Sequence, residues 1–109
     1  MTVVVVGCGY IGCALAGQLA EAGHEVTGVR RSPDGLERVA AIDDSVEAIR
    51  ADATLPATLE SLPDADTVVF AASAGGRGAD VAREVYVEGL RNVLEEYGMR
   101  ADPPDRLVY

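Results

Sequence analysis

The chain has 109 residues, 49% of them hydrophobic, with eighteen acidic against nine basic side chains and a net charge of −9. That length holds one domain, burying roughly two thirds of the surface its unfolded chain exposes, and excludes a second, substrate-binding domain. The negative charge argues against nucleic acid as a partner, and no apolar run reaches the roughly twenty residues that cross a bilayer, so no membrane association is expected.

Residues 2 to 6 read as a buried strand, because they are apolar on both faces rather than alternating. Gly7-Cys8-Gly9-Tyr10-Ile11-Gly12 follows, a G-x-G-x-x-G turn that opens an alanine-rich helix from about Tyr10 to Ala22. In that context the turn can seat a diphosphate against the positive end of the helix. Gly7 makes the tight turn, Gly9 admits the phosphates and Gly12 lets the helix lie close on its strand. The competing reading is a structural turn without a ligand. The helix carries Ile11, Leu15, Leu19 and Ala22 as one apolar stripe, Gly23 supplies a left-handed stop, and His24 is a turn residue.

Glu25 to Val29 is a second strand, leading into Arg30-Arg31-Ser32-Pro33. Ser32 before Pro33 signals an N-cap and first turn, so a helix with Leu36, Val39 and Ala40 starts there. Val46 to Ala51 is a third strand with Asp52 and Ala53 at its end. A short helix spans about Leu55 to Ser61, and Pro63-Asp64-Ala65-Asp66 is a turn. Thr67 to Ala71 is a fourth buried strand, followed by the small-residue loop from Ala72 and Ser73 to Gly78. A long helix from about Ala79 to Tyr97 has Val81, Val85, Leu90, Val93 and Leu94 as its apolar content and stops at Gly98. The polar connector Asp102-Pro103-Pro104-Asp105 leads to a fifth strand at Arg106-Leu107-Val108-Tyr109.

Strands alternating with helices at this rhythm predict an α/β fold, a doubly wound, Rossmann-like parallel sheet of about five strands in the order 3-2-1-4-5. Ligands in such sheets sit beyond the carboxyl ends of the strands where the order reverses, here between strands one and four. The candidate dinucleotide-binding residues on that edge are Gly7, Cys8, Gly9, Tyr10, Ile11, Gly12, Arg30, Arg31, Ser32, Asp52, Ala53, Ala71, Ala72 and Ser73. An acidic residue closing the second strand would accept hydrogen bonds from ribose hydroxyls. Arg30 cannot accept them but can grip a 2′-phosphate in a forked pair, with Arg31 and Ser32 beside it, which favours NADP over NAD. The alternative is that Arg30 and Arg31 point into solvent. Asp52 either accepts from the adenine amino group or caps the following helix.

Cys8 and Cys13 match no zinc spacing and read as small packing residues, so no metal is expected. Met1 runs straight into a strand with no positively charged leader, which makes the cytoplasm the expected compartment. The acidic, lysine-free composition suggests a halophilic source, where high ionic strength screens self-repulsion; an ordinary acidic protein is the alternative.

The chain resembles the NAD-dependent epimerase/dehydratase group, the extended and atypical short-chain dehydrogenase/reductases. The resemblance rests on Gly7 to Gly12, on Asp52, on Asp66-Thr67-Val68-Val69-Phe70-Ala71-Ala72 and on Gly89-Leu90-Arg91-Asn92-Val93-Leu94-Glu95. The glycine spacing is that of the atypical branch, and Tyr86 and Leu90 replace an asparagine and a threonine often found in the long helix. The resemblance implies a catalytic serine or threonine and a tyrosine with a lysine four residues later. Here there is no lysine, Tyr97 is followed four residues on by Ala101, and Tyr109 ends the sequence. No catalytic residue is therefore assigned, and the chain reads as the cofactor-binding front half of such a protein, truncated before its catalytic elements and inactive alone. The resemblance also implies a homodimer face on the helix at about 79–97. Rival readings are a nucleotide-sensing regulatory module of the kind attached to ion channels, a dehydrogenase whose catalytic domain is separate, and a remnant that keeps the fold without a ligand.

Overall fold

Four consecutive valines, Val3 to Val6, are each 2% exposed or less, and they form the centre of strand β1 (Thr2–Val6). In the computed structural model, residues 1–7, 10–71 and 79–109 are described, with side chains except at 10, 11, 79–82 and 85. The elements are β1, α1 (Tyr10–Glu21), β2 (Glu25–Arg30), α2 (Pro33–Ala40), β3 (Val46–Arg50), α3 (Pro56–Leu59), β4 (Thr67–Phe70), α4 (Ala79–Gly98) and β5 (Arg106–Val108). The five strands lie in the order β3-β2-β1-β4-β5, all parallel, as the alternation of strands and helices predicts.

Because side chains alternate across a strand, β1 sends Val4 and Val6 to one face and Val3 and Val5 to the other. The first pair joins Val29, Leu59, Leu62, Val68, Phe70, Val93 and Tyr97 in one core, covered by α4. The second pair joins Ala16, Val26, Val39 and Val46 in another, covered by α1 and α2. Each core is thus layered against one side of the same sheet.

The predicted helical stripes differ from the observed ones in an instructive way. On α1 the fully buried residues are Gly12 and Ala16, with Cys13, Leu19 and Ala20 partly covered, while Ala22 lies beyond the helix and is exposed. A valine-covered strand already fills the interlayer space, so small residues face it and the larger Leu15 sits at the margin. On α2, Gly35 and Val39 are buried and Ala40 is exposed. On α4 the sheet-facing row is Gly89, Val93 and Tyr97, and Leu94 is 49% exposed. The side chains of Val81 and Val85 lie outside those described.

Helix ends follow their local chemistry. Gly23 takes φ 90°, its amide donates to the Ala20 carbonyl (3.0 Å) and the His24 amide reaches back to the Leu19 carbonyl (3.1 Å), a Schellman stop. Ser32 caps α2, with Pro33 in its first turn. The helix α3 is shorter than expected, because Pro56 opens it and its N-cap, Leu55, makes no side-chain bond. Among the described residues no helix is long and apolar enough to cross a membrane.

Candidate functional site

At the carboxyl edge of the sheet the hydrogen-bond ladder continues past the strands. The Gly7 amide donates to the Val29 carbonyl (3.0 Å), the Ala51 amide to the Arg30 carbonyl (3.1 Å) and the Ala71 amide to the Val6 carbonyl (2.9 Å). The segments after β1, β3 and β4 are thereby held as a common floor at the point where strand order reverses.

Gly7 leaves β1 with φ 79°, a left-handed conformation that glycine adopts without a Cβ penalty. A Cβ added to Gly12 would stand 3.2 Å from the Gly7 carbonyl oxygen, 3.2 Å from Val5 Cγ1 and 3.7 Å from Ala71 Cβ. The first turn of α1 is therefore packed directly onto the end of β1 and the segment leaving β4. Gly7, Gly12 and Ala71 come together as the glycine spacing predicts. Cys8, Gly9, Ala72 and Ser73 lie outside the described residues, as do the side chains of Tyr10 and Ile11.

The second contribution comes from the ends of β2 and β3. Arg30 and Arg50 are register partners and close their respective strands. The Arg50 Nε donates to the Arg31 carbonyl (3.3 Å), so the guanidinium of one strand end braces the backbone leaving the other. Ser32 stands next in an extended conformation, and its Oγ accepts the Gly35 amide (3.1 Å). Three arginines are thus gathered beside the first turn of α2 in a chain whose net charge is strongly negative. Arg31 and Arg50 are exposed and Arg30 is half-buried.

Asp52 behaves differently from the helix-cap reading. Its Oδ1 accepts the Thr54 amide (2.9 Å) and the Thr54 hydroxyl (2.6 Å), closing an Asx turn two residues on rather than capping α3. The cap position of α3 falls on Leu55, three residues past Asp52, and the nearer Thr54 amide takes the carboxylate. The Asp52 amide in turn donates to Thr58 Oγ1 (2.9 Å). Ala53, 8% exposed, gives its carbonyl to Asn92 Nδ2 of α4 (2.8 Å). A Cβ on Gly89 would lie 3.1 Å from Phe70 Cζ and 3.2 Å from Ala53 Cβ, so glycine at that position lets α4 settle onto the loop.

Arg50, Gly35 and Thr54 are site-forming residues that the motifs did not single out, whereas Asn92 belongs to the Gly89 to Glu95 segment already noted. The Asp-x-Thr pattern at 52–54 carries an Asx-turn signal, and the arginine two residues before Asp52 is readable as a strand-end cation. The contacts of Gly35 are tertiary and have no local signature.

Tyr97 belongs to the opposite edge. It is 1% exposed, its hydroxyl donates to the Pro63 carbonyl (2.9 Å), and the Arg100 guanidinium lies 4.2 Å from its ring centroid. Arg100 also pairs with Asp64 and Glu96, each at 3.1 Å. Burial pushes the Tyr97 phenol up to about 12, against the opposing pull of Arg100.

The start of α1 packed on Gly7, together with the arginines that close β2 and β3, equips the carboxyl edge for anions. Among the described residues, no three His, Cys, Asp or Glu side chains gather as a metal site.

Residues 3–93 match the family model described as the TrkA-N domain. Among solved structures, the chain is similar to the yeast methylglyoxal/isovaleraldehyde reductase complexed with NADPH, with a TM-score of 0.80 and 19% identity over 98% of this chain and 36% of that one. Vestitone reductase from alfalfa (Medicago sativa) gives 0.77 and 18% identity over 99% of this chain and 35% of that one. A UDP-galactose 4-epimerase gives 0.72 and 27% identity over 87% of this chain and 33% of that one. The chain thus spans about a third of the length of each of these structures. A search of curated proteins gave no match.

Proposed function

The chain belongs to the TrkA-N domain family of Rossmann NAD-binding domains, and from that premise we propose that it binds a nicotinamide dinucleotide, NADP in preference to NAD, at the carboxyl edge between β1 and β4. The observation that carries this reading is the convergence of Gly7, Gly12 and Ala71 within one packed turn, beside Arg30, Arg31 and Arg50. The Gly7 to Gly12 turn holds the diphosphate against the start of α1. Arg30 and Arg31 with Ser32 hold the 2′-phosphate, while Asp52 and Ala53 border the adenine. When bound, the cofactor supplies hydride chemistry, for which this chain furnishes the seat.

The placement among extended or atypical short-chain dehydrogenase/reductases, in the epimerase/dehydratase group, is part of the same proposal. It is supported by the reductase and epimerase neighbours and by the Gly89 to Glu95 segment, whose glycine and asparagine dock α4 on the Ala53 loop. On this reading residues 1–109 are one cofactor-binding domain, and turnover requires a serine and a Tyr-x-x-x-Lys pair that its sequence does not contain. A homodimer through α4 completes the proposal. Tyr86, Val87 and Leu94 are 43%, 42% and 49% exposed and line an apolar groove with Leu90, flanked by Arg91 and Glu95 as opposite charges for a second copy.

A second reading, a nucleotide-sensing regulatory module, is favoured by membership of a binding-domain family. The two separate at Arg30, where such modules carry an acid. Fluorescence titration of the 109-residue chain with NADPH and NADH tests them. Tighter NADPH binding, reversed by Arg30→Asp, supports the reductase-like reading; NADH preference supports the sensor, and absence of binding to either refutes the proposed site.

A further inference from the structure

Resting on the NADP reading above, we propose that Gly35, in the first turn of α2, is a specificity-determining positioning residue: its missing side chain is the bed on which the Arg30 side chain lies, and this sets the guanidinium for a 2′-phosphate. A Cβ added to Gly35 would stand 2.6 Å from Arg30 Nε, 2.9 Å from Arg30 Cβ and 3.0 Å from Arg30 Cγ. All three of the nearest atoms belong to that one side chain. Gly35 is buried in α2, and its amide is already taken by the Ser32 Oγ at 3.1 Å. The Arg30 stem therefore runs across the capped first turn, covering the glycine, instead of standing away from the sheet edge.

Glycine at an interior helix position is intrinsically unfavourable relative to alanine. Gly35 takes no positive φ that would call for it. Space is the remaining reason for glycine here, and the space is filled by Arg30. A second constraint acts on the adjoining backbone: Arg50, the register partner of Arg30, fixes the Arg31 carbonyl by its Nε at 3.3 Å. The stem of Arg30 thus lies on a glycine bed and leaves a backbone that is braced at the next residue. A forked guanidinium contact depends on orientation more than a point charge does, so displacing the stem should cost selectivity rather than general anion affinity.

The experiment is a double-mutant cycle on the 109-residue chain, with Arg30→Ala, Gly35→Ala and both together, reading the ratio of NADH to NADPH dissociation constants by titration. Gly35→Ala is expected to lower that ratio by about tenfold or more in the presence of Arg30 and to have almost no effect on it once Arg30 is alanine. Melting temperature is read on the same four proteins. Gly35→Ala should lower it beside Arg30 and lower it clearly less beside alanine, where the approaches to Nε and Cγ are gone and the 2.9 Å approach to the residue 30 Cβ remains. A Gly35→Ala chain too unstable to titrate, restored by Arg30→Ala, supports the proposal through that second measurement. A wild-type NADPH preference that Gly35→Ala leaves intact overturns the role of Gly35 and spares the NADP reading. A wild-type chain without NADPH preference overturns the NADP reading, and this inference with it.

Discussion

Replacing Tyr97 by phenylalanine removes one oxygen from a residue that is 1% exposed, and the consequence depends on pH in a way that can be worked out. The hydroxyl donates to the Pro63 carbonyl at 2.9 Å. At about pH 8, losing that donor and leaving the carbonyl unpaired costs about 1 to 2 kcal/mol. The folded phenol is raised from 10.0 to about 12, chiefly by burial. A raised pKa means that folding favours the protonated form, so this stabilisation is complete below the unfolded value of 10 and is lost as pH climbs through the folded one. By about pH 11 the loss amounts to about 1 kcal/mol, comparable to the advantage tyrosine holds over phenylalanine at neutral pH. Urea unfolding of both proteins at about pH 8, 9.5 and 11 measures it, because every other titrating group is common to the two and cancels in the difference. Two stability curves that stay parallel across this range would refute the reasoning.

Gly12→Ala should lower both melting temperature and NADPH affinity, because its Cβ meets Gly7 oxygen and Val5 Cγ1 at 3.2 Å; overpacking of about 1 to 3 kcal/mol exceeds the gain of up to about 1 kcal/mol in helix propensity. Ser32→Ala should cost about 1 kcal/mol, read as a fall of about 4 to 8 °C in melting temperature, through loss of the cap on the Gly35 amide. Asn92→Ala should destabilise the chain by about 1 to 3 kcal/mol in urea unfolding, and weaken cofactor binding in titration, by leaving the Ala53 carbonyl unpaired and loosening the loop that carries Asp52.

Strand order and the glycine turn were legible because they depend on local, periodic signals. Val3 to Val6 can be apolar on both faces only in a strand covered on both sides, and Gly7, Gly23 and the Ser32-Pro33 pair mark ends where the backbone must turn or be capped. Helix faces were less legible. The row Gly89, Val93 and Tyr97 on α4 is selected by fit against Phe70 and Ala53, and ranking residues by size gives the exposed Leu94 instead. Asp52 shows the limit at the site itself. Its type suits either a cap or a turn, and the choice was made by Thr54 two residues on and by a helix start that puts Leu55 at the cap position.

The continuation of the ladder through Gly7, Ala51 and Ala71 has a mechanical consequence. A guest seated there leans, through Gly7, Ala51 and Ala71, on the strands of the sheet themselves. Occupancy is then felt as resistance of the whole molecule to unfolding, growing with the logarithm of guest concentration, and anything that disorders the central strands dismantles the seat at the same moment.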